Sequence, residues 1–324
     1  MNAMRWAVLL VVLLAAATIA LGVGAVHITP ADVVRALAGR ADATLSTIIR
    51  NVRLPRVVLG VGAGAALSMS GATLQGVLRN PLAEPYLLGV SGGAAVGAVV
   101  VTSAGVGAPA VIALAAFVGA AGAIVLVLAI ARAAGGKFDP RVLLMAGVVV
   151  GAFANAAIMI ALANAPGNNV RGALWWMMGS LGDASWRDVT WLLPAVSVLA
   201  MLVFVRARDI DALALGEEAA AGLGVDVDRS ARSIFLTASL LAAATVAAAG
   251  LIGFVGLVVP ALARTMGARR ARDLLAASAL IGGALLVLAD AVARTLRAPA
   301  ELPVGAVTAL VGVPFFLVRL GRVR

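Results

Sequence analysis

Apolar residues in this chain come in long blocks separated by short polar stretches. Crossing a bilayer as a helix takes about 20 such residues. Runs of this kind occupy residues 6–27, 57–78, 85–104, 108–132, 141–164, 189–206, 232–251, 253–267, 273–296 and 303–320. The pattern predicts an all-α, polytopic membrane protein with about ten transmembrane helices, residues 1–324 forming one transmembrane unit. The junction near 250–253 is the least regular. Ile234 to Ala263 is one apolar run, and thirty residues of helix would be about 45 Å long, more than a bilayer needs. Gly250, Gly253, Gly256 and Pro260 offer the break. Small residues recur four apart at Gly60 and Gly64, at Gly89, Gly93 and Gly97, and at Gly147 and Gly151, the spacing that lets helices approach closely in lipid.

The polar interruptions carry the more specific patterns. "RNPLAEPYLLGVSGGAAVG" (79–97) brackets Glu84 with two prolines, which predicts a turn and then a small-residue helix. "RARDIDALALGEEAAAGLGVDVDRSAR" (206–232) is the longest polar stretch. Leu213, Leu215, Ala219 and Leu223 could share one face of short helices there, and Glu217 and Glu218 suit a helix N-terminus. The stretch reads equally as a docking site for a partner or as a solvated linker. "GLIGFVGLVVPALAR" (250–264) predicts a broken or kinked helix, either a packing kink or the lining of a path, because irregular backbone at membrane depth must be covered by protein or a water-filled cavity. In "LADAVARTLRAPAELPVG" (288–305), Asp290 and Arg294 are four apart and close enough to pair.

Composition agrees with the pattern. The chain is 63% hydrophobic with a mean hydropathy of +1.08, and only 12% charged, where a soluble domain has about a quarter. The first run is longer than a signal-peptide core, so a retained first span is the favoured reading of the N-terminus. Net charge is +10, carried by 24 arginines and Lys137. No basic face with interleaved aromatic residues suggests nucleic acid. With ten spans both termini share a side, and an inside N-terminus puts 16 of the 25 bases on inner segments. This bias predicts N-in, C-in. It leaves an exception in "RNVRLPR" (50–56): Arg50, Arg53 and Arg56, with Arg35 and Arg40, fall on the outer side between spans one and two.

Candidate chemistry within the chain is sparse. There is no cysteine, and His27 is the one histidine, so neither a thiolate site nor a histidine cluster is available for metal. A phosphate-binding P-loop needs lysine followed by Ser or Thr; Lys137 is followed by Phe138. Any ATPase must be another subunit. Trp175, Trp176, Trp186 and Trp191 read as an interfacial belt, and the methionines as packing. An ion- or proton-coupled carrier would need an ionisable group in the membrane, and Asp290 is the candidate.

Four strings, "RLPRVVLGVGAGAALSMSGATLQGVLRNPLAEPYLLGVSGGAAVG", "LGEEAAAGLGV", "GLIGFVGLVVPALAR" and "LADAVARTLRAPAELPVGAVTALVGVPFF", resemble the permease subunits of binding-protein-dependent ABC importers, in the cobalamin, ferric-siderophore and haem branch. The resemblance covers most of the chain after residue 50. It implies a permease domain of ten spans in the plasma membrane, working as a homodimer with a path along its axis. It implies a coupling segment at about 209–228 that meets two cytosolic ATPase subunits, with Gly216, Glu217, Glu218, Ala219, Leu223 and Gly224 as the matching residues. ATP and Mg would be bound by those subunits; this chain would hold no cofactor and do no covalent chemistry. It further implies an external solute-binding protein whose carboxylates meet outer arginines, with Arg53, Arg56 and Arg294 at the matching positions. On that reading, Arg53→Glu with Arg56→Glu abolishes uptake and leaves the folded protein in the membrane. Haem and ferric siderophores lead as cargo, with cobalamin next. Two departures stand out: Ala261 replaces the histidine common after "VVP", and the inner loop "TMGARRARDLL" is unusual.

Overall fold

The computed structural model describes residues 1–24, 26–135, 138–298 and 300–321, and among these every regular element is helical. Lys137, Arg322 and Arg324, assigned above to inner segments, lie outside the described residues. The helices are α1 (Ala3–Gly22), α2 (Pro30–Leu37), α3 (Ala43–Thr47), α4 (Leu54–Val77), α5 (Val90–Ser103), α6 (Pro109–Ala133), α7 (Pro140–Ala163), α8 (Gly167–Met177), α9 (Trp186–Val205), α10 (Ala207–Ala214), α11 (Glu217–Gly222), α12 (Val227–Ala249), α13 (Val255–Thr265), α14 (Ala271–Ala293) and α15 (Val304–Gly321). A wide π turn over Ile48–Arg53 joins α3 to α4 in one continuous helical run. Each of the ten apolar runs became a helix. Seven are long and apolar enough to cross a membrane; α5, α13 and α15 are shorter apolar helices. The protein is a multi-pass membrane protein.

Helix starts follow local chemistry. Proline stands in the first turn of α2, α6 and α7, where its missing N–H removes nothing from the helix. Thr29 and Asp226 cap α2 and α12. Ser185 and Asp188 form a reciprocal capping box at α9. These caps satisfy N–H groups that lipid cannot.

Helix α4 is the hub, packed against α9, α12, α13 and α14, and α1 packs on the outside of α14. Most of α4 is buried, including Ser68, Ser70 and Thr73. Its closest neighbour is α14: a side chain at Gly64 would strike the Gly282 carbonyl, and one at Gly282 would strike that of Gly64. Small residues therefore set the contact distance, as in other lipid-embedded helix pairs. A second small-residue seam joins α5 to α6, at Gly93 and Gly97 against Gly119 and Ala115. In the predicted α7 pair, a side chain at Gly151 would meet nothing within 4 Å, so that position does not require glycine for close approach.

The two ends of α4 define the two sides of the bundle. At its start lie the last turns of α1 and α14. Beyond its end lie α10, α11, the start of α14 and the start of α1, joined by Arg79–Glu217, by the Ala271 N–H to Asp211, and by Arg5 to the Met266 carbonyl. Twenty-four helical residues separate them, about 36 Å. By the arginine distribution, the α10–α11 end is inner and the "RNVRLPR" end outer.

Candidate functional site

At the outer end the structure gives each arginine of "RNVRLPR" a partner inside the chain. Arg50 donates from Nε to the Ala36 carbonyl and from Nη2 to the Leu37 carbonyl, both at 2.8 Å. Arg53 donates to the carbonyls of Leu21 at 2.6 Å and Val26 at 2.5 Å. Arg294, entering from α14, donates to the Ala20 carbonyl at 2.8 Å. These acceptors are the last carbonyls of α2 and α1 and the backbone just beyond α1. Helix ends leave such groups unpaired and partly negative, and a guanidinium supplies both donors and positive charge. Helix α1 is thus tied to the start of α4 and the end of α14.

Arg56 makes a two-sided clasp. Its Nε and Nη2 donate to the two Asp290 oxygens at 2.9 and 2.7 Å, and its Nη1 and Nη2 donate to the two Glu301 oxygens at 2.9 Å each. Four of the five guanidinium N–H groups are engaged in two paired forks, the strongest arrangement arginine offers a carboxylate. The clasp ties the start of α4 to the end of α14 and to the loop before α15. The predicted Asp290–Arg294 pair is present at 3.6 Å, but the main partner of Asp290 is Arg56.

The structure places Arg53, Arg56 and Arg294, the positions matched to binding-protein docking, together at the outer end. They are only 6–7% exposed; Arg53 and Arg56 are bonded to the chain's own carbonyls, Asp290 and Glu301, whereas Arg294 bonds Ala20 and leaves its buried Nε without a hydrogen bond. The outer arginines left exposed are Arg35, Arg40, Arg50, Arg171, Arg187 and Arg297. Glu301 was missed in the sequence, although an acid flanked by proline at a span end, in a chain this apolar, was a usable signal.

At mid-depth the chain breaks between α12 and α13, as "GLIGFVG" predicts. The break is packed by protein. Ser180 donates to the Ala249 carbonyl at 3.0 Å, and Val304 donates to Gly179 at 3.1 Å, so the segment after α8 and the start of α15 cover the irregular backbone. Phe254 is left-handed (φ 68°), and its N–H donates to Glu84 at 2.8 Å. Glu84 is therefore a buried cap for the broken helix, not part of a plain inner loop. Gln75 also supports the break: Arg264 donates to its Oε1 at 2.6 Å, while its Nε2 approaches the Gly256 carbonyl at 3.3 Å. Ala261, at the unusual position, is a buried residue of α13. The unusual loop after it accepts Arg5 at the Met266 carbonyl, 2.8 Å away.

At the inner end, α10 and α11 form a small platform. Gly216 joins them at φ 113°, a conformation open to glycine. Glu217 and Glu218 occupy the first turn of α11, Glu217 pairs with Arg79 at 2.9 Å, and Glu218 and Ala219 are exposed. Leu215 and Leu223 are 71% and 66% exposed, and Gly224 is exposed with φ 80°. Leu213 departs from the predicted common face: at 4% exposure it packs inward. The glycine turn between α10 and α11 reorients the second helix, so one stripe cannot be drawn through both.

Among the described residues no cluster of His, Asp or Glu could hold a metal ion. The site combines a locked outer end, a sewn mid-depth break and an exposed two-helix platform. The FecCD transport family matches residues 9–322. The chain belongs to the FecCD transport family. This FecCD chain is 40% identical over 311 residues to the Fe(3+)-citrate import system permease protein YfmE of Bacillus subtilis, covering 96% of this chain and 92% of that protein. It is 46% identical over 274 residues to the cobalamin import system permease protein BtuC of Halobacterium salinarum, covering 85% and 73%. Among solved structures, it superposes with a TM-score of 0.84 and 27% identity on a chain of an inward-facing, metal-chelate type ABC transporter, covering 96% of each.

Proposed function

We propose that this chain is the membrane-spanning subunit of an ATP-driven importer that carries a metal chelate from an external binding protein into the cytoplasm. The observation that carries this reading is the FecCD match over residues 9–322, joined to an exposed α10–α11 platform at the end of the bundle opposite the arginine clasp. Two copies would enclose the path, and two ATPase subunits would bind ATP and Mg and push on the platform. Leu215 and Leu223 are the apolar contacts the platform offers, with Glu218 and Ala219 beside them. The chain itself contributes no cofactor and no covalent step.

The external protein would dock on the outer end. Its carboxylates would meet the exposed Arg35, Arg187 and Arg297, while Arg53, Arg56 and Arg294 fix the loops that present them. Complementary charge of this kind speeds encounter and sets orientation. Haem and ferric siderophores are the leading cargoes and cobalamin the next. An ion-coupled carrier fits less well, because Asp290, the carboxylate it rested on, is bound on both oxygens by Arg56.

The test is reconstitution in proteoliposomes with the cognate ATPase and binding protein, offering ferric citrate, haem and cobalamin separately. Uptake of one of them that requires ATP is expected. Leu223→Asp, or charge reversal at Glu217 and Glu218, should abolish co-purification of the ATPase and leave the permease folded. Uptake that persists without the ATPase contradicts the proposal.

A further inference from the structure

At the inner end, a cleft of about 510 Å³ opens between the end of α6, the start of α7 and the first turns of α12. Arg132 reaches it from the last turn of α6, and Arg229 and Arg232 from the start of α12. Deeper in, the lining is apolar, with Leu128, Leu143 and Leu236. Leu236 is 37% exposed, so the apolar lining continues onto the outside of the bundle.

Two acids at the rim do not cancel the arginines. The Asp228 carboxylate accepts the Phe138 N–H at 2.7 Å and stands 3.9 Å from Arg232. The Asp226 carboxylate accepts the Arg229 N–H at 3.1 Å, as the cap of α12. Asp226 is taken up by a backbone donor, and Asp228 is shared between a backbone donor and Arg232. Three guanidinium groups and two carboxylates leave one net positive charge, and the N-terminus of a 23-residue helix adds to it.

We propose that this cleft binds an anionic glycerophospholipid, its phosphate between Arg132, Arg229 and Arg232 and an acyl chain along Leu128 and Leu236. Arginine forks match phosphate oxygens, and basic pockets between membrane helices on the cytoplasmic side suit anionic headgroups. A soluble anion would have no use for the apolar extension, and a zwitterionic lipid would not match the excess positive charge. The lipid would join α6 to α12 just where α12 leaves the coupling segment.

Native mass spectrometry of the full chain tests this, with dioleoyl-phosphatidylglycerol and dioleoyl-phosphatidylcholine as competing probes. Wild type should retain phosphatidylglycerol in preference. Each arginine changed to glutamine should weaken retention about five-fold, and the triple variant Arg132→Gln, Arg229→Gln, Arg232→Gln about a hundredfold. Arg141→Gln, an exposed arginine outside the cleft, should change nothing. Equal retention of both lipids by wild type, or undiminished preference in the triple variant, overturns the proposal. Displacement by excess inorganic phosphate also overturns it, since the site would then be one for a free anion. Should the triple variant fail to fold, the single change at exposed Arg132 decides, and unchanged retention there refutes the lipid site.

Discussion

The arginine near the start of α4 and the one just past its end both face carboxylates, in opposite surroundings. The Arg56 side chain is 8% exposed, and its partners Asp290 and Glu301 are 3% and 37% exposed. The Arg79 and Glu217 side chains are 40% and 56% exposed. An exposed pair contributes about 0–1 kcal/mol, because water and salt screen it. A buried pair adds little over an apolar replacement, but removing one partner strands a charge that nothing solvates. The outer end is thereby bound to a single arrangement. The inner end keeps a water-exposed contact that can break and re-form at little cost.

Substitutions at the two ends should separate sharply. The largest effect is expected for Arg56→Met, which leaves buried Asp290 with only Arg294 at 3.6 Å and should cost about 3–5 kcal/mol, read as a drop in the thermal midpoint in detergent. Adding Asp290→Asn should recover part of that loss; a purely additive loss would show that the clasp does not couple the two positions. The pair Arg53→Glu, Arg56→Glu separates folding from docking: loss of the protein from the membrane fraction is expected from the broken clasp, and full abundance with lost uptake would instead point to docking.

Arg53→Met should cost less, about 1.5–3 kcal/mol, because it removes charged hydrogen bonds to the end of α1 and leaves carboxylates untouched. Smaller again, Arg79→Ala should stay within about 1 kcal/mol of wild type. Arg79→Gly sharpens the contrast. Arg79 has φ 49°, which costs a non-glycine residue about 1–2 kcal/mol, so glycine should offset the lost ion pair and leave stability near wild type. A loss at Arg79 as large as that at Arg56 would erase the difference between the two ends.

Much of the fold was legible because a bilayer imposes one rule everywhere: each crossing needs a long apolar run, and all ten runs became helices. The short helices α2 and α8 were not seen. The first lies in an arginine-bearing segment read only for charge, and the second in a tryptophan-rich stretch read as an interfacial belt. The partners of the outer arginines within the chain were illegible for a different reason. Arg53 reaches a carbonyl 32 residues away, and Arg56 reaches carboxylates 234 and 245 residues away. The Asp290–Arg294 pair was legible because helical spacing brings positions four apart together, but that local pair concealed the stronger distant one. Glu84 was noticed between its prolines, yet its bond to Phe254 exists only because the chain breaks 170 residues later.

The account rests most directly on the two ends of α4 facing opposite sides of the membrane. The chain has no cysteine, so single cysteines can be placed at exposed Arg187, beside the outer clasp, and at Leu223 on the platform. A membrane-impermeant maleimide applied to intact cells, stripped of any outer membrane, should label Arg187→Cys at once and Leu223→Cys only after permeabilisation. Labelling of both positions from the same side would contradict the assignment of an outer clasp and an inner platform.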